Sequence, residues 1–333
     1  MARVAVLGAN GHTARFVVDE LGRRGFDVLA ATRDGTLHTA GLRDLRCRLV
    51  DFSDAHSLDA VCSDADAVIN CAGPFFDTAL PAAQAAVRAG IPYLDVTAEQ
   101  HTAKAVLETL DGPAAHGGVL VVPAMGFFGG LADLLASTII QQAKSVLSIE
   151  IGVALDRWHP TNGTRLTGAR NIYPRVHVED GILTDLAPMG LRQEWDFGGD
   201  FGVQRVTPVQ LSEIVLIHRH IRAQSIVSYM NEAPLEDLGN PDTPAPQKDG
   251  EHGRSAQNFA LCVSVADDSG PRRHTQANGR DIYAVTAPLV VSACERILRG
   301  QVRTSSGART PGELFQARDY LLDLEPDIRV EYR

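Results

Sequence analysis

The chain has 333 residues, 44% hydrophobic and 22% charged, with 41 acidic against 31 basic side chains and a net charge of −10 at pH 7. That length supports two domains with substantial cores, and an acidic balance with no basic run argues against a nucleic-acid binder. Its five cysteines are odd in number and form no C-x-x-C pair, which fits a reducing compartment and argues against disulfides or a zinc site.

The chain enters a strand at once, over residues 3–7, with no basic leader before it. No apolar run approaches the ~18 residues of a membrane span, so the expected location is the cytoplasm. Gly8-Ala-Asn-Gly-His-Thr-Ala14 follows, then a helical pattern with Phe16, Val17 and Leu21 that stops at Gly25, then a second strand over 27–32. Strand, glycine turn, helix and strand within about 30 residues form the dinucleotide-binding unit. Unpaired amides and the helix dipole face the cofactor pyrophosphate there, and glycine lets the backbone come close. The spacing is G-x-x-G-x-x-A rather than G-x-G-x-x-G, and two glycines alone could make only a tight turn. Where NAD sites place an acid for the ribose hydroxyls, this chain has Thr32-Arg33. A guanidinium pairs with a 2′-phosphate, so NADP(H) is favoured over NAD; a solvated surface arginine is the alternative.

The alternation continues. A third strand over 46–50 ends at Asp51, and Ser53 is placed to cap a helix carrying Leu58 and Val61. A fourth strand over 66–71 runs into Ala72-Gly73-Pro74-Phe75, a helix over 78–89 follows, and strands at 92–96 and 118–122 flank a helix over 100–110. Such alternation predicts a parallel sheet with ligands beyond the carboxyl ends of its strands. After a helix near 131–142 the pattern changes. Strand-like runs at 146–155, 175–178, 209–222, 259–266 and 272–278, joined by Gly/Pro-rich connections, read as an antiparallel sheet. Residues 232–254 read as a loop or lid. Helical periodicity returns from Asp281, and a last helix is expected over 311–322. The fold class is therefore α/β: a Rossmann-type parallel-sheet domain with an inserted α+β, antiparallel-sheet substrate domain.

Gly8-Ala-Asn-Gly-His-Thr-Ala-Arg15, Val68-Ile-Asn-Cys-Ala-Gly-Pro-Phe75, Tyr93-Leu-Asp-Val-Thr-Ala-Glu99 and Val122-Pro-Ala-Met-Gly-Phe127 together resemble the saccharopine dehydrogenase-like NADP-dependent oxidoreductases. The resemblance covers residues 1–135 and, more faintly, 283–287. It implies a dinucleotide-binding domain over 1–128, a substrate domain over 129–278, and C-terminal helices over 279–333 that return to the first domain. By position it implies that Gly8, Asn10, Gly11, His12 and Thr13 hold the pyrophosphate and Arg33 the 2′-phosphate. Asp51 matches an acid that accepts from the adenine amino group, or is a helix-start carboxylate favourable to the dipole. Cys71, Ala72, Gly73, Pro74 and Phe75 would line the ribose and nicotinamide side, with Thr97 and Glu99 near the ring. The middle of the chain carries no substrate signature, and the family spans C=N reductions of amino-acid conjugates and lipid-related reductases.

Hydride transfer needs the nicotinamide carbon placed against the substrate and, in many cases, a proton donor. No tyrosine has a lysine four residues on, and the three lysines, Lys104, Lys144 and Lys248, offer few Schiff-base candidates. Glu99, Thr97 and His101 are the catalytic candidates; Glu99 could equally cap the following helix, and Tyr93 and Asp95 read as structural. Arg165 and Arg254, on glycine-flanked stretches, could grip a substrate carboxylate or merely sit in turns. Tyr283 and Thr286 share a helix face that meets either the cofactor or the core. Trp158, Trp195 and Tyr229 could wall a pocket or pack a core. His218 and His220, read on one strand face, are too few for a metal site. The expected activity is NADP(H)-dependent hydride transfer to a C=N, C=O or conjugated C=C bond of a small metabolite. A non-catalytic NADP(H)-binding sensor is the alternative. The expected partner is a small-molecule substrate, with no nucleic acid and no membrane; a homodimer stays open.

Overall fold

A computed structural model describes residues 1–38, 45–140, 145–185, 192–247, 253–268 and 270–332; Lys144 and Lys248 lie outside them. The first part alternates: β1 (Arg3–Leu7), α1 (His12–Arg23), β2 (Asp27–Thr32), β3 (Arg46–Leu49), α2 (Ala55–Cys62), β4 (Ala67–Asn70), α3 (Phe75–Ala89), β5 (Tyr93–Asp95), α4 (Gln100–Gly117) and β6 (Leu120–Val122). A turn at Phe127–Leu131 leads into α5 (Ala132–Ile139). The middle holds β7 (Val146–Leu155), α6 (Asn162–Arg170), β8 (Val176–Glu179), β9 (Ile182–Asp185), β10 (Gln193–Asp196) and β11 (Val203–Val209). It continues through α7 (Glu213–His220), β12 (Ala223–Asn231), α8 (Glu232–Gly239), β13 (Asn258–Asp267) and β14 (Arg273–Arg280). The end comprises α9 (Thr286–Leu298), β15 (Gly307–Ala308), α10 (Pro311–Leu314), α11 (Ala317–Leu322) and β16 (Ile328–Tyr332).

Two sheets result. The first is all parallel, in the order β15-β6-β5-β4-β1-β2-β3, the strand order of a dinucleotide-binding fold with β15 added at one edge. Both of its faces are covered, which is why its strands read as unbroken apolar runs. Val4 and Val6 pack with Val17 and Leu21 of α1 and Leu289 and Ala293 of α9. Ala5 and Leu7 face the other way, toward the alanine-rich α3 and Val106 of α4. The first core continues through Leu134 and Leu135 of α5 onto Ile151 and Val153 of β7 and Leu261 and Val263 of β13. The second sheet runs β10-β11-β12-β7-β13-β14-β16, with β8 beside β12 and β9 beside β8. The C-terminal segment joins both sheets, β15 pairing with β6 and β16 with β14.

The structure corrects several expectations. The second sheet is mixed, because β12 runs parallel to β7. Residues 209–222 are not one strand: β11 ends at Val209 and α7 follows, burying Ile214, Val215, Leu216 and Ile217. Four consecutive apolar residues carry no period, so packing chose the helix. His218 and His220 therefore sit in the last turn of α7, and α6, α7 and α8 connect strands expected to be joined by loops alone. The helix expected over 311–322 is split into α10 and α11 by extended Phe315, whose ring is buried. Asp54, not Ser53, caps α2, accepting from the His56 amide.

Candidate functional site

At the carboxyl end of β1 the chain turns through Gly8, at φ +75°, whose amide donates to Ala31 O at 2.9 Å. A Cβ on Gly8 would lie 2.8 Å from Ala72 Cα, so the turns after β1 and β4 pass in contact. Gly11 donates back to Gly8 O at 2.8 Å and begins α1 in extended conformation, with no side chain capping the helix. A helix end left uncapped beside a glycine turn is built to receive an anion. Gly8, Gly11, His12 and Thr13 are all at this turn. Asn10 plays a different part: its side-chain oxygen accepts from the His38 amide at 3.0 Å and its nitrogen donates to Thr36 O at 2.9 Å. Both polar atoms thus hold the loop after β2 against the glycine turn.

That loop carries Arg33, which is exposed and has no hydrogen bond or ion pair among the described residues. The neighbouring acid, also exposed, is bonded within its own loop. Asp34 accepts from the Thr36 amide at 3.1 Å, His38 Nε2 at 2.7 Å and Thr32 Oγ1 at 3.0 Å, and these bonds, the Thr36 amide first, hold its carboxyl well below the usual range. The carboxylate that would repel a 2′-phosphate is occupied by its own loop. Asp51 is exposed and accepts from the Ser53 amide and hydroxyl, which lower its pKa.

The turns after β4, β5 and β6 are tied together by a buried chain of hydrogen bonds. Asn70 accepts from the Ala72 amide at 2.9 Å and donates to Tyr93 Oη at 3.1 Å; Tyr93 donates to Asp95 at 3.0 Å. Asp95 in turn accepts from the Thr97 amide at 3.0 Å and the Ala124 amide at 2.9 Å. Burial pushes the Asp95 carboxyl up to about 6, and burial, with Asp95 nearby, raises the half-buried Cys71 thiol. The Ala72-Gly73-Pro74 turn is further held by Thr78, which donates to Ala72 O at 2.5 Å.

Glu99 does not cap the helix that follows it. Its two oxygens accept from the Phe75 and Phe76 amides at 2.9 and 2.8 Å, and Thr102 Oγ1 donates to it at 2.6 Å. It therefore caps α3 from across the sheet, directly after the Gly73-Pro74 turn. Burial outweighs these bonds and raises its pKa. Thr97 is fully buried, its hydroxyl accepting from the Glu99 amide at 3.1 Å. His101 is different: it is exposed, stacks on Tyr173 at 3.7 Å between ring centroids, and faces a cleft.

The cleft, about 360 Å³, lies between the start of α4 and the second sheet. Its back wall is Trp158, whose indole donates to Tyr283 Oη at 2.9 Å. Tyr283 also accepts from Thr164 and makes an edge contact with His12, 5.1 Å between ring centroids. Tyr283 thus joins the glycine turn to the cleft wall without itself lining the cleft. Arg165 and Arg254 do not reach it either. Arg165 lies on α6, not in a loop, and donates to the carbonyls of Asn240 and Thr243; Arg254 pairs with Asp327. These bonds correct the expectation of two carboxylate clamps. Trp195 and Tyr229 pack in a small core cluster. Sequence reasoning missed the 171–175 rim of the cleft, because nothing in its spacing marks it.

Below the site, Glu213 is buried at the start of α7 and accepts from Ser228 Oγ at 2.8 Å; burial pushes its carboxyl up to about 7. Its folded-state pKa is raised, so its proton stabilises the fold below the unfolded pKa, and that stabilisation is lost as pH rises toward 7. Glu213→Gln is expected to remove on the order of 3 kcal/mol from the decline in stability between pH 4.5 and 7.5. Urea unfolding at both pH values checks this; an unchanged decline would contradict it.

Residues 4–121 match the saccharopine dehydrogenase NADP-binding domain. A human saccharopine dehydrogenase-like oxidoreductase is 25% identical over 152 residues, 39% of this chain and 35% of that protein. An Arabidopsis thaliana protein named "Probable mitochondrial saccharopine dehydrogenase-like oxidoreductase" is 26% identical over 174 residues, 44% of this chain and 38% of that one. The matched stretch thus spans little more than a third of either relative. In fold, the chain resembles apo saccharopine dehydrogenase (L-Glu forming) of Saccharomyces cerevisiae over 100% of both chains, with a TM-score of 0.71 at 14% identity. It also resembles the DAP dehydrogenase of C. glutamicum over 98% of this chain and 96% of that one, with a TM-score of 0.52 at 15% identity. Among the described residues no helix is long and apolar enough to cross a membrane. Residues 4–121 are thus similar to an NADP-binding domain of the saccharopine dehydrogenase kind, and the chain throughout has the two-sheet fold of that enzyme.

Proposed function

We propose that this protein is an NADP(H)-dependent oxidoreductase acting on a C=N, C=O or conjugated C=C bond of a small metabolite. The observation that carries the reading is the uncapped start of α1 beneath Gly8 and Gly11, with an unpaired Arg33 at the end of the neighbouring strand. The residues fit the cofactor: the glycine turn admits a pyrophosphate against the helix amides, and Arg33 meets a 2′-phosphate while Asp34 bonds within its own loop. Bound NADPH would supply the hydride. The chain's part is to bind and orient. Gly8, Gly11, His12 and Thr13 hold the pyrophosphate, and Cys71 to Phe75, kept in place by Asn70 and Glu99, border the nicotinamide side. Of the three proton-donor candidates, Thr97 and Glu99 are engaged in buried hydrogen bonds, whereas His101 faces the cleft. His101 is therefore the group we assign to hold a proton for the product. A sensor would bind NADP(H) equally, but the adjacent cleft favours turnover.

Titration with NADPH and separately with NADH, followed by nicotinamide fluorescence, tests the reading. Tight NADPH and weak NADH are expected, and Arg33→Asp should weaken NADPH about tenfold or more while leaving NADH nearly unchanged. Equal losses for both would remove Arg33 from the site. No binding of either would remove the oxidoreductase reading.

A further inference from the structure

The walls of the cleft beside His101 differ in character. Trp158, Val209, Leu211, Met230, Leu235 and Leu238 give it an apolar interior. Arg175 stands at its mouth, exposed and with no hydrogen bond or ion pair among the described residues. None of the described lining residues is acidic, although acids outnumber bases in the chain by 41 to 31. Two of the remaining polar groups are tied into the walls. Gln100 donates to Val176 O at 2.8 Å and accepts from the Val176 amide at 3.0 Å. Asn171 accepts from the Tyr173 amide at 3.3 Å. Among the described residues the cleft thus pairs an apolar interior with one guanidinium at its edge. Its volume lies at the small end of ligand pockets.

We infer that this cleft binds an amphipathic monoanion, an apolar body seated against Trp158 and Met230 with a single carboxylate held by Arg175. A polar diacid would leave the apolar wall unmatched. A neutral lipid would leave Arg175 without its counter-charge. The inference rests on the oxidoreductase reading only in calling that ligand the substrate. The cleft's position supports this: Trp158 contacts Phe128, just after the end of β6, with ring centroids 5.5 Å apart, and Gln100 and His101 follow β5.

Trp158 and Trp195 are the two tryptophans of the chain, and Trp195 packs over Gly152 away from the cleft. In a Trp195→Phe background, Trp158 emission reports the cleft directly. Titrations with octanoate, 1-octanol and glutarate, each with and without Arg175→Gln, test the class. Octanoate should change the emission saturably and bind tighter than the other two. Arg175→Gln should weaken octanoate about tenfold or more and leave 1-octanol unchanged, as loss of one charge-assisted contact would. Tighter glutarate, equal octanoate binding with and without Arg175, or no saturable change with octanoate would each overturn the inference. NADPH titration of the same samples separates the two readings. NADPH binding without octanoate binding sinks only the ligand class; octanoate binding without NADPH binding sinks only the oxidoreductase.

Discussion

Gly8→Ala is expected to destabilise the protein by about 2–5 kcal/mol and to weaken NADPH binding at least tenfold. Two costs add. A side chain at φ +75° pays about 1–2 kcal/mol for the left-handed conformation. The new Cβ would also lie 2.8–2.9 Å from Ala72 N, Cα and Cβ, where backbone must yield, an overpacking cost of about 1–3 kcal/mol. Relief comes only by parting the turns after β1 and β4, the two that would flank the cofactor. Gly90→Ala is the control. Gly90 ends α3 at φ +72° with nothing within 4 Å of an added Cβ, so it should cost only the conformational part, about 1–2 kcal/mol, and leave NADPH affinity unchanged. Urea unfolding and NADPH titration of both variants check the pair. Wild-type NADPH affinity in Gly8→Ala would show that the turn does not meet the cofactor.

Glu99→Gln is expected to lower stability by about 2 kcal/mol and NADPH affinity several-fold, together. Two backbone amides and the Thr102 hydroxyl converge on the carboxylate. A carboxamide offers them one oxygen and turns an NH2 group against a donor, which leaves a buried N–H unsatisfied. The Phe75 and Phe76 amides follow directly on the Gly73-Pro74 turn, so loosening the cap loosens the turn proposed to border the nicotinamide. A loss of turnover with stability and NADPH affinity intact would instead make Glu99 a proton donor.

The dinucleotide-binding unit was legible from residues alone because everything that defines it is local. Apolar β-branched runs, a left-handed Gly8, the α1 stripe of Phe16, Val17 and Leu21, and Arg33 at a strand end all fall within 33 consecutive positions. The parallel order of the first sheet followed, since strands joined by helices have few other ways to pack. What the tertiary structure alone decided lies in contacts distant along the chain. Glu99 was visible as an acid after a strand, but its cap on α3 reaches back 24 positions. The Asn70, Tyr93 and Asp95 chain needs two adjacent strands in register before its hydrogen bonds exist. Residues 214–217 became a helix, not a strand, because a uniformly apolar run states no period and burial settles it. Arg165 and Arg254 looked like anion clamps until Asn240, Thr243 and Asp327 were found beside them. Arg175 carried no motif at all. A guanidinium becomes a candidate ligand group only when folding leaves it without a partner at the mouth of an apolar cleft, and no local pattern encodes which arginine that will be.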